Sequence, residues 1–333
     1  MIYARCDACG NATKYTKACS GCGLVRYCSI ECQLKCLPIH KFVCCESLKI
    51  CHAESHRCGA RLVARKPFVE GDEIVREKPC SKVSMLGCAQ ASFETSSKEE
   101  AGDIVWENHI AKLPVDSVER SIVLDLSDAW NDPPTVGGIG RTNAIPLGDE
   151  NDHEGYGLFP IICRANHSCH PNARYIWRHD LQHEILLAIR TIAPGEEVTV
   201  CYLDGVYCAS YRKDFLKQSF GFICACKLCK EDDPVVDAKL HKICEIDNDI
   251  PSVASMRPQR AIKMAEDALE LLAEVNMNSA FWTKRLMHDL HQIHAKIGNN
   301  KAATRWYTRA TQASKVCEGG NDPKGVAKLP NHV

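Results

Sequence analysis

The sequence predicts an α+β chain of three parts: a metal-bound cysteine module, a β-rich middle closed by a second cysteine group, and a helical C-terminal third. Three observations carry this. Cysteine and histidine crowd the first 44 residues, short strand-and-turn patterns fill the middle, and apolar residues recur at three- to four-residue spacing after about residue 258.

The bulk composition bounds the function. The chain has 333 residues, 45% hydrophobic and 25% charged, which is ordinary for a globular protein of two or three domains. A formal net charge of −1 supplies no global basic field for nucleic acid or an anionic membrane. No apolar run approaches the ~20 residues that span a bilayer, and the start MIYARCDACG has no secretory core. The expectation is a soluble monomer of the cytoplasm, the nucleus or both, with no membrane partner. Twenty-two cysteines in such a chain point to metal rather than disulfides.

The N-terminal ligands are Cys6, Cys9, Cys19, Cys22, Cys28, Cys32, His40 and Cys44, spaced C-x2-C, C-x2-C, C-x3-C and H-x3-C. Two thiolates two residues apart grip a small ion from one turn, and i, i+4 ligands share a helix face. Eight ligands make two closed structural zinc sites. So short a module buries too little apolar surface to fold alone, so metal binding is folding free energy. The pattern resembles the MYND zinc finger. By that family's interleaved pairing, Cys6, Cys9, Cys28 and Cys32 hold one zinc, and Cys19, Cys22, His40 and Cys44 the other. The resemblance implies peptide binding or a structural role, with a nucleic-acid surface left open by Lys14, Lys17, Arg26, Lys35, Lys41 and Lys49.

In the middle, GARLVARKPFVEGDEIVREKP (59–79) alternates apolar and polar residues about a Glu-Gly-Asp turn and reads as a two-stranded hairpin. ETSSKEE, WENHIAKL and SIVLDLSDAW give a polar linker and short helices over about 90–135. VGGIGRTNAIPLG and GYGLFPIICRA read as short strands and turns. HEILLAIRTIAPGEEVTVCYLD reads as strand, Pro-Gly turn, strand. No glycine-rich phosphate cradle is present.

The loop RANHSCHPNARY (164–175) admits two readings. Cys169 with His167 supplies two parts of a thiol nucleophile and its base. Alternatively, Cys224, Cys226 and Cys229 form a C-x-C-x2-C group that lacks a fourth zinc ligand, and Cys169 completes it. A thiolate committed to structural zinc is no nucleophile.

NHSCHPN (166–172), GEEVTVCY (195–202) and GFICACKLC (221–229) resemble the SET domain of protein lysine methyltransferases with its post-SET cysteines. With the finger, the chain resembles the SET- and MYND-containing (SMYD-type) proteins and their fungal relatives. The resemblance implies S-adenosylmethionine as cofactor, three zinc ions, a protein substrate with a target lysine, and peptide partners at the finger and helical region. It makes Tyr202 the catalytic tyrosine and assigns Asn166, His167, Asn143, Tyr202 and Phe222 to the cofactor, with Gly59 and Arg61 from the first strand. The chain departs from the family pattern in having GARL for GRGL, Ile145 for phenylalanine, Phe220 for tyrosine and Cys163 for serine, and in placing the finger before the first SET strands. Those departures support the alternative of a weak or inactive SET/MYND protein that recruits partners in transcriptional regulation.

After KEDDPVVD the pattern turns helical, with Ile262, Ala265, Leu269 and Leu272, then Leu286, Leu290, Ile293 and Ile297, then Trp306, Ala310 and Ala313. Its rhythm resembles the tetratricopeptide-like region of SMYD-type proteins. His288, His291 and His294 read as a polar helix flank, and His170 as a surface residue. The expected parts are therefore a MYND finger (1–50), a SET domain (56–205), a post-SET region (206–232), a helical region (233–318) and a disordered tail (319–333).

Overall fold

The computed structural model describes residues 4–6, 8–9, 11–13, 15–21, 25–40, 47–52, 60–84, 98–114, 118–148, 153–203 and 205–317. The expected disordered tail lies outside them.

The finger is built from two small hairpins and one helix. Strands β1 (Ala4–Arg5) and β2 (Ala12–Thr13) pair, as do β3 (Lys17–Ala18) and β4 (Arg26–Tyr27), and helix α1 (Ile30–His40) follows. The module does not stand apart from the rest. Val25, Tyr27 and Cys36 are buried in the same core as Leu62, Phe68, Phe159 and Leu186 of the middle region. The Arg65 guanidinium also reaches the Gly21 carbonyl.

Strands β5 (Leu48–His52) and β6 (Ala60–Ala64) form an antiparallel pair. β7 (Glu73–Glu77) instead joins a sheet ordered β12-β13-β7, where β12 is Ala173–Arg178 and β13 is His183–Ala188. The expected 59–79 hairpin is thus corrected: both strands exist, but each finds its partner elsewhere. Glu70-Gly71-Asp72 makes the turn, with Gly71 at φ 92°. β13 is buried along HEILLA except at its first residue, so it takes a partner on both edges. A second sheet is ordered β8 (Ser81–Ser84), β10 (Gly155–Leu158), β9 (Ile145–Pro146). A short parallel pair joins β11 (Asn166–His167) to β14 (Thr199–Val200).

The insert contains α2 (Lys98–Ala111), α3 (Val118–Leu124) and α4 (Val136–Asn143). α4 corrects the reading of VGGIGRTN as strand and turn. Thr135 caps it by accepting from Gly138 N, and its glycines let it lie against α2. A Cβ on Gly140 would meet the Trp106 side chain at 2.3 Å, and one on Gly137 would meet Asp103 at 2.6 Å. Close packing here outweighs the low helix propensity of glycine.

Beyond α5 (Ala209–Phe220) and α6 (Lys227–Glu231), four helices form the C-terminal region: α7 (Pro234–Met256), α8 (Pro258–Glu274), α9 (Ala280–Lys296) and α10 (Asn300–Cys317). Proline opens α7 and α8, where no intrahelical donor is lost. Each helix packs on its chain neighbour around Leu240, Ile246, Ala265, Leu272, Leu290 and Trp306. His291 Nδ1 meets the Ala303 carbonyl at 3.0 Å, and His294 is buried, so the expected polar flank is corrected at that residue. No helix among the described residues is long and apolar enough to cross a membrane.

Several contacts among the described residues join the helical region to the β-rich middle. Glu70 Oε1 accepts from Ala280 N at 2.7 Å, capping α9, and Arg174 lies over the Phe281 ring. His170 is half-buried, its Nε2 3.0 Å from the Asn276 carbonyl. The expected surface position of His170 is therefore corrected: the loop that carries it abuts the α8–α9 turn.

Glu77 ends β7 and accepts from Ile161 N at 3.0 Å and Ile162 N at 2.9 Å, capping the 3-10 turn Ile162–Arg164 that leads into β11. Burial pushes its carboxyl from 4.5 up to about 7, the two N–H groups and Arg164 opposing. In that window the folded chain binds more protons than the unfolded one, so this group makes stability fall as pH rises from 4.5 to about 7. We expect Glu77→Gln to flatten that decline by on the order of 2 kcal/mol, read from urea midpoints at mildly acidic and mildly alkaline pH. An unchanged slope would contradict the assignment.

Candidate functional site

Two groups of four cysteines come together. Cys6, Cys9, Cys28 and Cys32 form the first, with Cys9 and Cys28 Sγ 3.7 Å apart and Cys28 and Cys32 3.6 Å apart. Cys169, Cys224, Cys226 and Cys229 form the second, with Cys169 Sγ 3.9 Å from Cys224 and 3.5 Å from Cys229. A tetrahedral zinc with ~2.3 Å Zn–S bonds sets its sulfurs about 3.8 Å apart, whereas a disulfide needs ~2 Å. Both groups fit zinc. Of the other finger site, Cys19 is half-buried; Cys22, Cys44 and the His40 side chain lie outside the described residues.

The second cluster answers the question posed by Cys169. Its thiol is 3% exposed and surrounded by three other thiols. Tyr202 N–H donates to His167 Nδ1 at 3.0 Å, which leaves the ring proton on Nε2, 3.3 Å from Cys169 Sγ. Burial pushes His167 down to about 4. The histidine is therefore neutral and donates toward the sulfur, the opposite of a base drawing a proton from a nucleophile.

The pairing of β11 with β14 brings distant motifs together. Asn166 lies opposite Thr199, and His167 opposite Val200, two residues before Tyr202. Asn166 Nδ2 donates to Glu197 Oε1 at 3.0 Å and to the Ala60 carbonyl at 3.3 Å, tying three segments into one crossing. Asn172 holds the loop behind it: it is 1% exposed, donates to Glu196 and to the Glu197 carbonyl, and accepts from Thr199 N.

An aromatic group closes over this crossing. The Tyr202 ring lies 5.2 Å from His167, 4.9 Å from Phe220 and 6.4 Å from Phe222, and His167 lies 6.0 Å from Phe222. α5 ends at Gly221, whose left-handed φ of 70° turns the chain so that Phe220 and Phe222 flank Tyr202. Tyr202 Oη donates to the Ala165 carbonyl at 3.1 Å. Burial, with Cys163 and Glu197 nearby, raises its pKa well above the usual tyrosine range, so it remains a phenol at neutral pH.

Asn166, His167, Tyr202 and Phe222 thus form one group. The remaining expected residues are placed otherwise. Asn143 ends α4, and its amide donates to the Ser127 and Ile139 carbonyls, both at 2.7 Å; its own carbonyl accepts from the Cys163 thiol at 3.1 Å. Arg61 is exposed on β6, opposite Cys51. Gly59 lies outside the described residues.

Comparison with known proteins gives these motifs a family. The SET domain model matches residues 35–203 and the MYND finger model residues 6–44. The chain belongs to the SET-domain family. Among relatives, the SET chain is 29% identical over 235 residues to the human histone-lysine N-methyltransferase SMYD3, covering 70% of this chain and 53% of that protein. It is 26% identical over 275 residues to the chicken N-lysine methyltransferase SMYD2, covering 80% and 58%. The chain spans about half the length of these relatives. A solved SET domain of LSMT bound to lysine and AdoHcy aligns over 82% of this chain and 84% of that one, at 14% identity and a TM-score of 0.37.

Residues without a motif also shape the SET site. Glu77 caps the turn before Asn166 from 84 residues away, and only the fold brings it there. Glu197, by contrast, sits inside GEEVTVCY, half-buried just before β14.

Elemental analysis of purified protein should find at least two zinc ions per chain. Cys226→Ser and Cys6→Ser should each remove one, independently. Unchanged zinc in either variant would contradict that cluster.

Proposed function

We propose that the chain is an S-adenosylmethionine-dependent protein-lysine N-methyltransferase acting on a histone or non-histone lysine. The observation that carries this is the convergence of Asn166, His167, Tyr202 and Phe222 at the β11–β14 crossing. The chemistry of the group fits a sulfonium cofactor. Aromatic faces and neutral oxygens, here the Tyr202 phenol and the Ala165 carbonyl, favour a cation without competing for its methyl group.

When bound, that cofactor supplies an electrophilic methyl group on sulfur. The backbone at Asn166 and His167 would hold it, with Phe222 along its side. Asn166 keeps the crossing closed through Glu197 and Ala60. His167, neutral, fixes the Tyr202 backbone through Nδ1. Tyr202 Oη, donating its proton toward Ala165 O, turns its lone pairs to the reacting region and orients an incoming amine. An acceptor lysine enters as ammonium, and desolvation among Tyr202, Phe220 and Phe222 lowers its pKa so that it gives its proton to solvent water and arrives neutral.

One observation favours a second reading, a scaffold that recruits partners through its finger and helices. The Asn143 amide is spent on its own helix and on Ser127. The same experiment decides between them. Calorimetric titration with S-adenosylmethionine should give saturable binding to wild type and to Tyr202→Phe, while Tyr202→Phe lowers methyl transfer on the order of a hundredfold. Absence of cofactor binding by folded, zinc-loaded wild type would overturn the enzyme reading.

A further inference from the structure

Beside the strand leading into Tyr202 is a pocket of about 150 Å3, walled by Ala173, Arg174, Tyr175, Val200, Cys201 and Phe281. β14 pairs with β11 and lies close to β12. Asn166 and His167 are on β11, whereas the pocket is lined by Ala173, Arg174 and Tyr175 of β12, with Val200 and Cys201. Displacement at a methyl group is in line, so an acceptor must approach from the side its donor does not occupy. The pocket has none of Asn166, His167 and Phe222 in its lining, and its wall at Cys201 is one residue from Tyr202. Its outer wall, Phe281, comes from α9, so the helical region completes it.

Charge then narrows what enters. Arg174 is half-buried, its guanidinium 5.0 Å from the Phe281 ring and its Nε 3.4 Å from the Tyr175 carbonyl. Among the described residues it forms no ion pair, and no acidic side chain lines the pocket. The carboxyl that feels its field, Glu184, is 1% exposed, and burial drives it toward the neutral form with Arg174 opposing. The guanidinium charge at this pocket is therefore not cancelled. A planar donor fork with an aromatic backing is a receptor for a carboxylate.

We propose that this pocket receives a side chain flanking the target lysine, and that Arg174 makes an acidic residue at that position the preferred one. The proposal rests on the methyl-transfer reading for the identity of the central lysine. It names as substrate class a peptide with glutamate or aspartate one or two residues from that lysine. Arg174 is a specificity-determining residue here, outside the chemistry at Tyr202.

The test is fluorescence anisotropy of short lysine-centred peptides against the full zinc-loaded chain, without cofactor. Peptides carry Glu, Gln or Lys at each position one or two residues from the lysine. We expect one Glu position to bind about tenfold tighter than its Gln counterpart. Arg174→Gln should erase that advantage, Arg174→Lys should keep part of it, and Arg174→Glu should transfer the preference to the Lys peptide. Equal binding of Glu and Gln peptides by wild type, no peptide binding at all, or a Glu preference that survives in Arg174→Gln would overturn the proposal. Cofactor titration of the same samples separates the two ideas. Peptide preference without cofactor binding counts against the methyl-transfer reading alone, and cofactor binding without preference counts against the Arg174 pocket alone.

Discussion

The four-cysteine cluster that joins Cys169 to Cys224, Cys226 and Cys229 is the constraint on which the site depends. Cys169 lies 55 residues or more before the other three ligands, and one metal ion removes that freedom at a single point. What it joins decides the consequence. Cys169 lies two residues after His167, and Cys224 two residues after Phe222. Closing the cluster therefore brings the NHSCHPN loop to the segment after α5, and His167 and Phe222 meet with Tyr202 beside both. His167 belongs to both systems, donating toward the sulfur from one ring nitrogen and accepting from Tyr202 N–H at the other.

Burial acts on the rest of the site with one sign, toward neutral groups. His167 is pushed down to about 4, Tyr202 is held as a phenol, and Glu77 and Glu184 are driven toward their acid forms. A pocket built from neutral side chains, carbonyls and rings favours a cationic donor and withholds water from a neutral amine. Arg174 departs from this pattern, and it stands outside the aromatic group, at the seam with the helical region.

Much of this was legible in the sequence, because metal spacing and motif order are local signals. Cys6, Cys9, Cys28 and Cys32 gather as their spacing with the finger pattern implied, and Cys169 joins the C-x-C-x2-C group. The helices after residue 258 follow from apolar periodicity. What was hidden depends on partners distant in the chain. Alternation in 59–79 revealed two strands but not that β6 would pair backward with β5 while β7 paired with β13. VGGIGRTN became a helix because Trp106 and Asp103 leave room only for glycine, a reason that lies in α2. His170 and Arg174 acquire their contacts from Asn276 and Phe281, over 100 residues away.

Thiol footprinting by mass spectrometry tests the central claim most directly. The folded chain is exposed to a cysteine alkylating reagent with and without a zinc chelator, and labelling of each cysteine is followed in time. Cys169, Cys224, Cys226 and Cys229 should be protected together and become reactive together once the metal is removed. Rapid labelling of Cys169 alone, with the other three still protected, would mark it as a free nucleophile and contradict the account.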